Sequence, residues 1–371
     1  MVYIEIETQE ELSTIISQQQ VVSKYAFQDL DFTNYELKVK GKKFDDCLFL
    51  GCHIPALVKQ SISDNCLVFP QIDVPYNPFI NKLYSKEMLF DTYERGNPDS
   101  YENSFDKVVY DHFIDEGIEA EDIKETLARS LHDHSISDAM YDFLEKYDEK
   151  KIVAVMGGHQ LSRADKNFLE IARISKYLTE KGYLMISGGG PGAMEATHVG
   201  AWLAGKSDND LIKVIQLLAE APLYTDIMWL DKAFQVLDSH PQSDYSSLGI
   251  PTWHYGHEPP TPFASHIAKY FANSIREDGL LAIAKGGVIF TPGSAGTMQE
   301  VFQDATQNHY LSFQIASPMV FFGKEFWTNN HPVYPLLSKM SEEGKYKNLI
   351  LSLCDTKEEV IASLFQWIRE S

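Results

Sequence analysis

Apolar and polar positions divide the chain into three stretches. Over residues 1–86 the apolar residues come in short clusters, and two runs advance in steps of five: Phe27, Phe32 and Leu37, then Phe44, Phe49 and Ile54. Such a step fits a pentapeptide-type β-coil with one inward residue per side. Two short runs are too few to establish a repeat, so a set of ordinary strands is the simpler expectation for this β-rich region. From 87 to 150 the pattern turns helical, with Val108, Val109, Phe113, Ile118, Ile123, Leu127 and Leu131 at roughly helical steps. The charged run EKYDEKK (145–151) closes it as a linker or helix end.

From 151 to 371 short apolar runs alternate with helix-like segments. KIVAVM (151–156) reads as a strand ending in Gly157-Gly158, followed by a helix from about Arg163 to Lys181. YLMIS (183–187) is a second strand, closed by GGGPGAMEA (188–196) and another helix; LIKVIQLL (211–218) reads as a third. After a long loop, 262–284 reads as a helix, GGVIFT (286–291) as a strand and PGSAGTMQE (292–300) as the start of a further helix. SPMVFF (317–322), a helix near 331–343, NLILSL (348–353) and a last helix opened by a Thr356/Glu359 capping box complete the chain. This alternation predicts an α/β fold: a doubly wound parallel sheet with helices on both faces, preceded by a β-then-α extension. Such sheets bind ligands beyond the carboxyl ends of their strands.

Composition narrows the partners. The 371 residues are 44% hydrophobic and 23% charged, an ordinary globular balance. Lys and Arg number 32 against 53 Asp and Glu, a net charge of −21. That field disfavours nucleic-acid polymers and anionic membranes, but not a small phosphorylated ligand held by local N–H groups. Four cysteines without C-x-x-C spacing suggest reduced thiols. The N-terminal sequence has no secretory-leader pattern and no apolar run approaches a membrane span, so a cytoplasmic location is expected.

The candidate chemistry lies in two glycine-rich turns, each between a strand and a helix. Glycine lets a phosphate approach the backbone, and a helix N-terminus adds unpaired N–H groups with partial positive charge. Gly188, Gly189, Gly190 and Gly192 form the first turn; Gly293, Ser294, Gly296 and Thr297 form the second. Either could equally be a tight turn needed only for packing. Neither carries the Lys of a triphosphate-binding loop, and the first strand's turn lacks the dinucleotide fingerprint. A monophosphate is therefore expected. Glu300 follows Thr297 by three residues, which is also the spacing of a helix capping box. The alternative is a carboxylate facing a sugar, where it would stabilise a cationic centre or orient water.

These residues carry a resemblance. GGGPGAMEA and PGSAGTMQE resemble the paired motifs of the LOG ("lonely guy") family, G-G-G-x-x-G-[LA]-M and P-G-G-x-G-T-x-x-E, over roughly residues 151–371. VMGGHQ (155–160) and HEPPTP (257–262) are more similar to its bacterial pyrimidine/purine nucleotide 5′-monophosphate nucleosidase branch. The resemblance implies a Rossmann-like fold and a phosphoribohydrolase that cleaves the N-glycosidic bond of nucleoside 5′-monophosphates. It implies catalytic roles for Glu300 and Arg276, with phosphate or ribose on the two glycine turns. Base or ribose contacts would come from Gly158, His159, Met194, Glu195 and Glu258. It also implies a homodimer or higher homo-oligomer, with no cofactor and no metal.

The sequence departs from the family at several points. Ser294 stands at the second glycine of P-G-G, Gln299 replaces one acid of the E-E ending, and Lys285 stands near an expected second Arg. These changes keep open a nucleotide-sensing module that binds without turnover. Arg276 could instead be a solvated helix residue paired with Glu277 or Asp278. Trp253 and Tyr255 suit base stacking or simple packing. His254 and His257 have a superficial metal-ligand spacing without further ligands. His132 and His134 read as solvent-facing.

Overall fold

The computed structural model describes residues 2–241 and 244–370. The chain divides into two compact units. One runs up to Leu83 and resumes over His112–Asp142; the other comprises Tyr84–Asp111 and the chain from Phe143 onward.

In the first unit the five-residue step turns out to be structural. Strands β1 (Ile4–Ile6), β2 (Val21–Ser23), β3 (Tyr25–Gln28), β4 (Lys43–Asp45), β5 (Leu48–Leu50) and β6 (Leu67–Phe69) pair only in parallel. Val22 lies beside Phe44, Phe27 beside Phe49 and Asp31 beside His53, so these positions meet the one 22 residues on, while Ile4 meets Tyr25 and Leu48 meets Leu67. Phe27, Phe32, Phe44 and Phe49 are fully buried and stack at centroid distances of 5.1 to 6.1 Å. Left-handed corners at Lys24 and Asp46, and at Asp29 and Gly51, recur with the same offset. The expectation of unrelated strands is thus corrected to a short parallel coil. His132 is also corrected: it is buried, with its Nδ1 3.2 Å from Asp133.

The second unit holds a seven-stranded parallel sheet: β7 (Ile152–Met156), β8 (Leu184–Ser187), β9 (Ser247–Gly249), β10 (His266–Ile267), β11 (Gly287–Phe290), β12 (Pro318–Phe322) and β13 (Ile350–Cys354). Their order is β10-β9-β8-β7-β11-β12-β13. With helices on both faces, this is the expected doubly wound α/β sheet. Val153, Val155, Met185, Ile289 and Val320 pack with the helices Lys166–Glu180, Ala193–Trp202 and Lys357–Glu370 into one core. The order reverses at β7, which lies between β8 and β11. A crevice is expected above such a reversal.

Two assignments change. LIKVIQLL is not a strand but part of the helix Asp208–Leu218. Ser207 and Asp210 cap each other's backbone amides, and Leu211, Val214, Ile215 and Leu218 bury one helical face. The third strand is instead β9, whose sequence SLG has a single large apolar residue. It follows a helix, Trp229–Ser239, inside what reads as loop. The helix expected over 262–284 is confined to Asn273–Ile283, with β10 ahead of it. The Thr356/Glu359 capping pair is present. Among the described residues no helix is long and apolar enough to cross a membrane.

Candidate functional site

A cavity of about 490 Å³ lies over the β7–β11 strand tips, within the roughly 300–1,000 Å³ of ligand clefts. Its floor is Gly157 and Gly158 after β7, and one wall is the start of the helix Ala295–Tyr310. Ser294 caps that helix without any side-chain bond to it. Ala295, Gly296 and Thr297 line the cleft at the positive end of a sixteen-residue helix, whose opening amides have no acceptor within the helix. Gly293 is required here, because a Cβ on it would lie 2.1 Å from Oγ1 of Thr297.

Glu300 stands one turn along the same helix and lines the cleft. It closes no capping box, since the cap is Ser294 rather than Thr297. Burial pushes its carboxyl up to about 7; Arg276 opposes that rise and Glu277 adds to it. Arg276 comes from the helix Asn273–Ile283 and is buried rather than solvated. Its Nε donates to the carbonyl of Ile250 at 2.7 Å, and Nη2 reaches the Gly188 carbonyl at 3.5 Å. Nη1 lies 4.0 Å from both Glu300 and Glu277, too far for a direct bond to either. A cation and an acid thus face the same cleft with room between them. Glu277 is itself committed: it accepts from Asn273 at 2.8 Å and from Gln299 at 2.7 Å. The amide of Gln299 is what lets that side chain donate to Glu277.

The first glycine turn does something other than expected. Gly188, Gly189, Gly190 and Gly192 are buried and do not line the cavity. A Cβ on Gly188 would lie 2.2 Å from Nη2 of Arg276 and 2.6 Å from Sδ of Met194. One on Gly190 would lie 2.9 Å from Cε of Met194. The turn is a seat for these two side chains, and Met194 and Arg276 line the cavity in its place. Gly192 has a left-handed φ of 71° and packs against the carbonyls of Gly158 and His159. Behind the turn, the Ser187 hydroxyl accepts from the Gly189 amide at 3.1 Å and meets His198 Nε2 at 2.8 Å. Burial drives His198 down to about 3, so it is neutral.

Gly158, His159 and Glu258 line the cavity with Tyr255 and His257. Nδ1 of His159 is 3.4 Å from Glu258, whose carboxyl is raised by burial against the pull of His257 and Arg276. Glu195 is not part of this surface. It is fully buried in a bidentate pair with Arg163, at 2.5 and 2.9 Å, one helical residue beyond Met194 but facing the core. Lys285 pairs with Glu149 at 2.5 Å and does not replace a second cleft Arg. Trp253 is buried, stacked on Phe271 at 4.6 Å, and its Nε1 donates to Asp106 at 3.1 Å. His254 packs edge-on to Tyr255. The Ile250 carbonyl and the Ser187–His198 support are contributions that sequence motifs do not mark.

No family model matches the chain, and no curated protein matches it. Among solved structures it is similar to the molybdenum cofactor binding protein of the phototrophic bacterium Rippkaea orientalis: 15% identity, 58% of this chain and 96% of that one, TM-score 0.38. It is also similar to the molybdenum cofactor carrier protein of Chlamydomonas reinhardtii: 14% identity, 59% of this chain and 98% of that one, TM-score 0.35.

Proposed function

We propose that the cleft hydrolyses the N-glycosidic bond of a nucleoside 5′-monophosphate, releasing the base and ribose 5-phosphate. The observation that carries this reading is the approach of Arg276 and Glu300 to 4.0 Å beside a helix N-terminus that no side chain caps, in one cavity. The 5′-phosphate would rest on the amides at 295–297, with the Ser294 hydroxyl as a further donor. That places the sugar against Glu300. As the C1′–N bond breaks, its electron pair leaves with the base nitrogen and C1′ gains cationic character. An ionised Glu300 stabilises that charge, accepts a proton from the water that adds to C1′ and gives it up to the departing base nitrogen, which leaves Glu300 ionised again. Arg276, always charged, holds the phosphoribosyl group and balances Glu300.

The test is incubation of the full chain with a panel of nucleoside 5′-monophosphates and assay of ribose 5-phosphate. Release that falls by roughly 10²–10⁴-fold in Glu300→Gln supports the reading. Nucleotide binding without release, unchanged in Glu300→Ala, identifies a nucleotide sensor instead.

A further inference from the structure

A second cavity of about 260 Å³ opens within the same unit, with walls formed by Tyr93, Tyr101, Tyr224 and Trp229. It borders the cleft. His257 lines both spaces. His159, on the cleft side, stands edge-on to Tyr224 with ring centroids 5.8 Å apart. Glu258 sits between the two histidines, 3.4 Å from His159 and 3.8 Å from His257.

The aromatic walls are held from behind. Tyr93 stacks on Phe234 at 4.9 Å, and the Arg163 guanidinium lies 4.5 Å over the ring of Trp229. The Tyr101 hydroxyl donates to Asp106 at 2.9 Å. The Tyr93 hydroxyl is different: its oxygen is buried and has no hydrogen-bond partner among the described residues. A buried hydroxyl left unpaired costs free energy that a bound polar group recovers. The charged residues of this cavity are Asp99, Glu102, which pairs with Lys107 at 3.2 Å, and Asp226, which accepts from the Leu223 amide at 2.7 Å and keeps a second carboxylate oxygen. Ionised carboxylates only accept hydrogen bonds, so they select a ligand that presents N–H donors.

We infer that this cavity is an annex of the cleft that receives the nucleobase and favours bases with an exocyclic amino group. The inference rests on the N-glycosidase reading of the cleft. Its size suits one planar ring system rather than a whole nucleotide, which the larger cleft accommodates. Pre-held tyrosines present stacking surface at little ordering cost, while Trp229 is buried behind them.

The experiment compares AMP with IMP, in which a carbonyl replaces the exocyclic amino group and N1 becomes N1–H, using the full chain and its Tyr224→Ala and Tyr93→Phe variants. Wild type is expected to prefer AMP by about tenfold or more in kcat/KM. Tyr224→Ala should raise KM for AMP by roughly tenfold while leaving kcat within about threefold, and product inhibition by ribose 5-phosphate should not change. Tyr93→Phe removes only a hydroxyl, so it stays informative should Tyr224→Ala not fold; it should raise KM for AMP by about fivefold. Turnover of AMP with wild-type KM in the folded variants, or equal use of IMP, overturns the annex while leaving the cleft reading intact. If no mononucleotide is cleaved, the cleft reading fails on its own. Calorimetry with free adenine then decides the annex: binding lost in Tyr224→Ala supports it, and binding absent or unchanged overturns it.

Discussion

Gly188→Ala should separate the site from the fold. Gly188 has no positive φ, so alanine meets no backbone penalty there. Its methyl carbon would stand 2.2 Å from Nη2 of Arg276 and 2.6 Å from Sδ of Met194. Carbon contacts relax only beyond about 3.5 Å, so the guanidinium must withdraw by about 1 Å or more. Withdrawal either breaks the 2.7 Å bond from Nε to the Ile250 carbonyl or swings Nη1 away from Glu300. The moving atoms end flexible side chains, so the melting temperature should change by no more than a few degrees. A displacement of that size at a reacting centre costs on the order of 10²-fold. We therefore expect kcat/KM for ribose 5-phosphate release to fall about 10²-fold in a protein that still melts cooperatively. Gly192→Ala is the contrast: a left-handed residue whose Cβ would meet the Gly158 carbonyl at 2.4 Å, a backbone collision that should impair folding itself. A folded Gly188→Ala protein with wild-type kcat/KM would refute the placement of Arg276 in the chemistry.

Glu300, raised by burial to about 7, should give an activity limb that rises with pH around that value rather than near 4.5; a limb midpoint below 5.5 would contradict it. Asp304, one turn further along the same helix, is fully buried with Oδ2 unpartnered among the described residues, and burial lifts its carboxyl to about 8. The folded state holds that proton more tightly than the unfolded chain, so stability falls as pH climbs from 3.8 towards about 8. Asp304→Asn should accordingly gain melting temperature over wild type increasingly across that interval, and a constant difference would sink the assignment. Glu195→Ala leaves the Arg163 guanidinium buried without its carboxylate and should cost about 3–5 kcal/mol in denaturant unfolding. A cost below about 1 kcal/mol would show that the pair is not buried in solution.

The fold was legible where burial leaves a continuous apolar run and glycine marks its end. β7, β8 and β11 are such strands, and the cleft lies over the tips of β7 and β11. β9 was not, because Ser247-Leu248-Gly249 carries too little apolar character to register. LIKVIQLL misleads because a helix with a wide buried face also produces an apolar run; the Ser207/Asp210 cap was the signal that separates the two. In the first unit the five-residue step was present in the sequence, yet only stacking of successive coils tells Phe27 beside Phe49 from coincidence. Glu300 and residues 294–297 belong to one local motif, so their sharing of one cavity wall was legible. The Gly188 turn could not, because whether a missing Cβ admits a phosphate or the protein's own Arg276 is decided by a helix 88 residues away. Glu195 failed for the same reason: its partner Arg163 is 32 residues upstream.

The most direct test of the central claim is a crystal structure of the Glu300→Gln variant with AMP bound. The account predicts the phosphate within hydrogen-bond distance of the amides of residues 295–297, and C1′ between residue 300 and Arg276. A phosphate elsewhere, whether displacing Met194 onto the Gly188–Gly192 turn or outside the cleft, would contradict it.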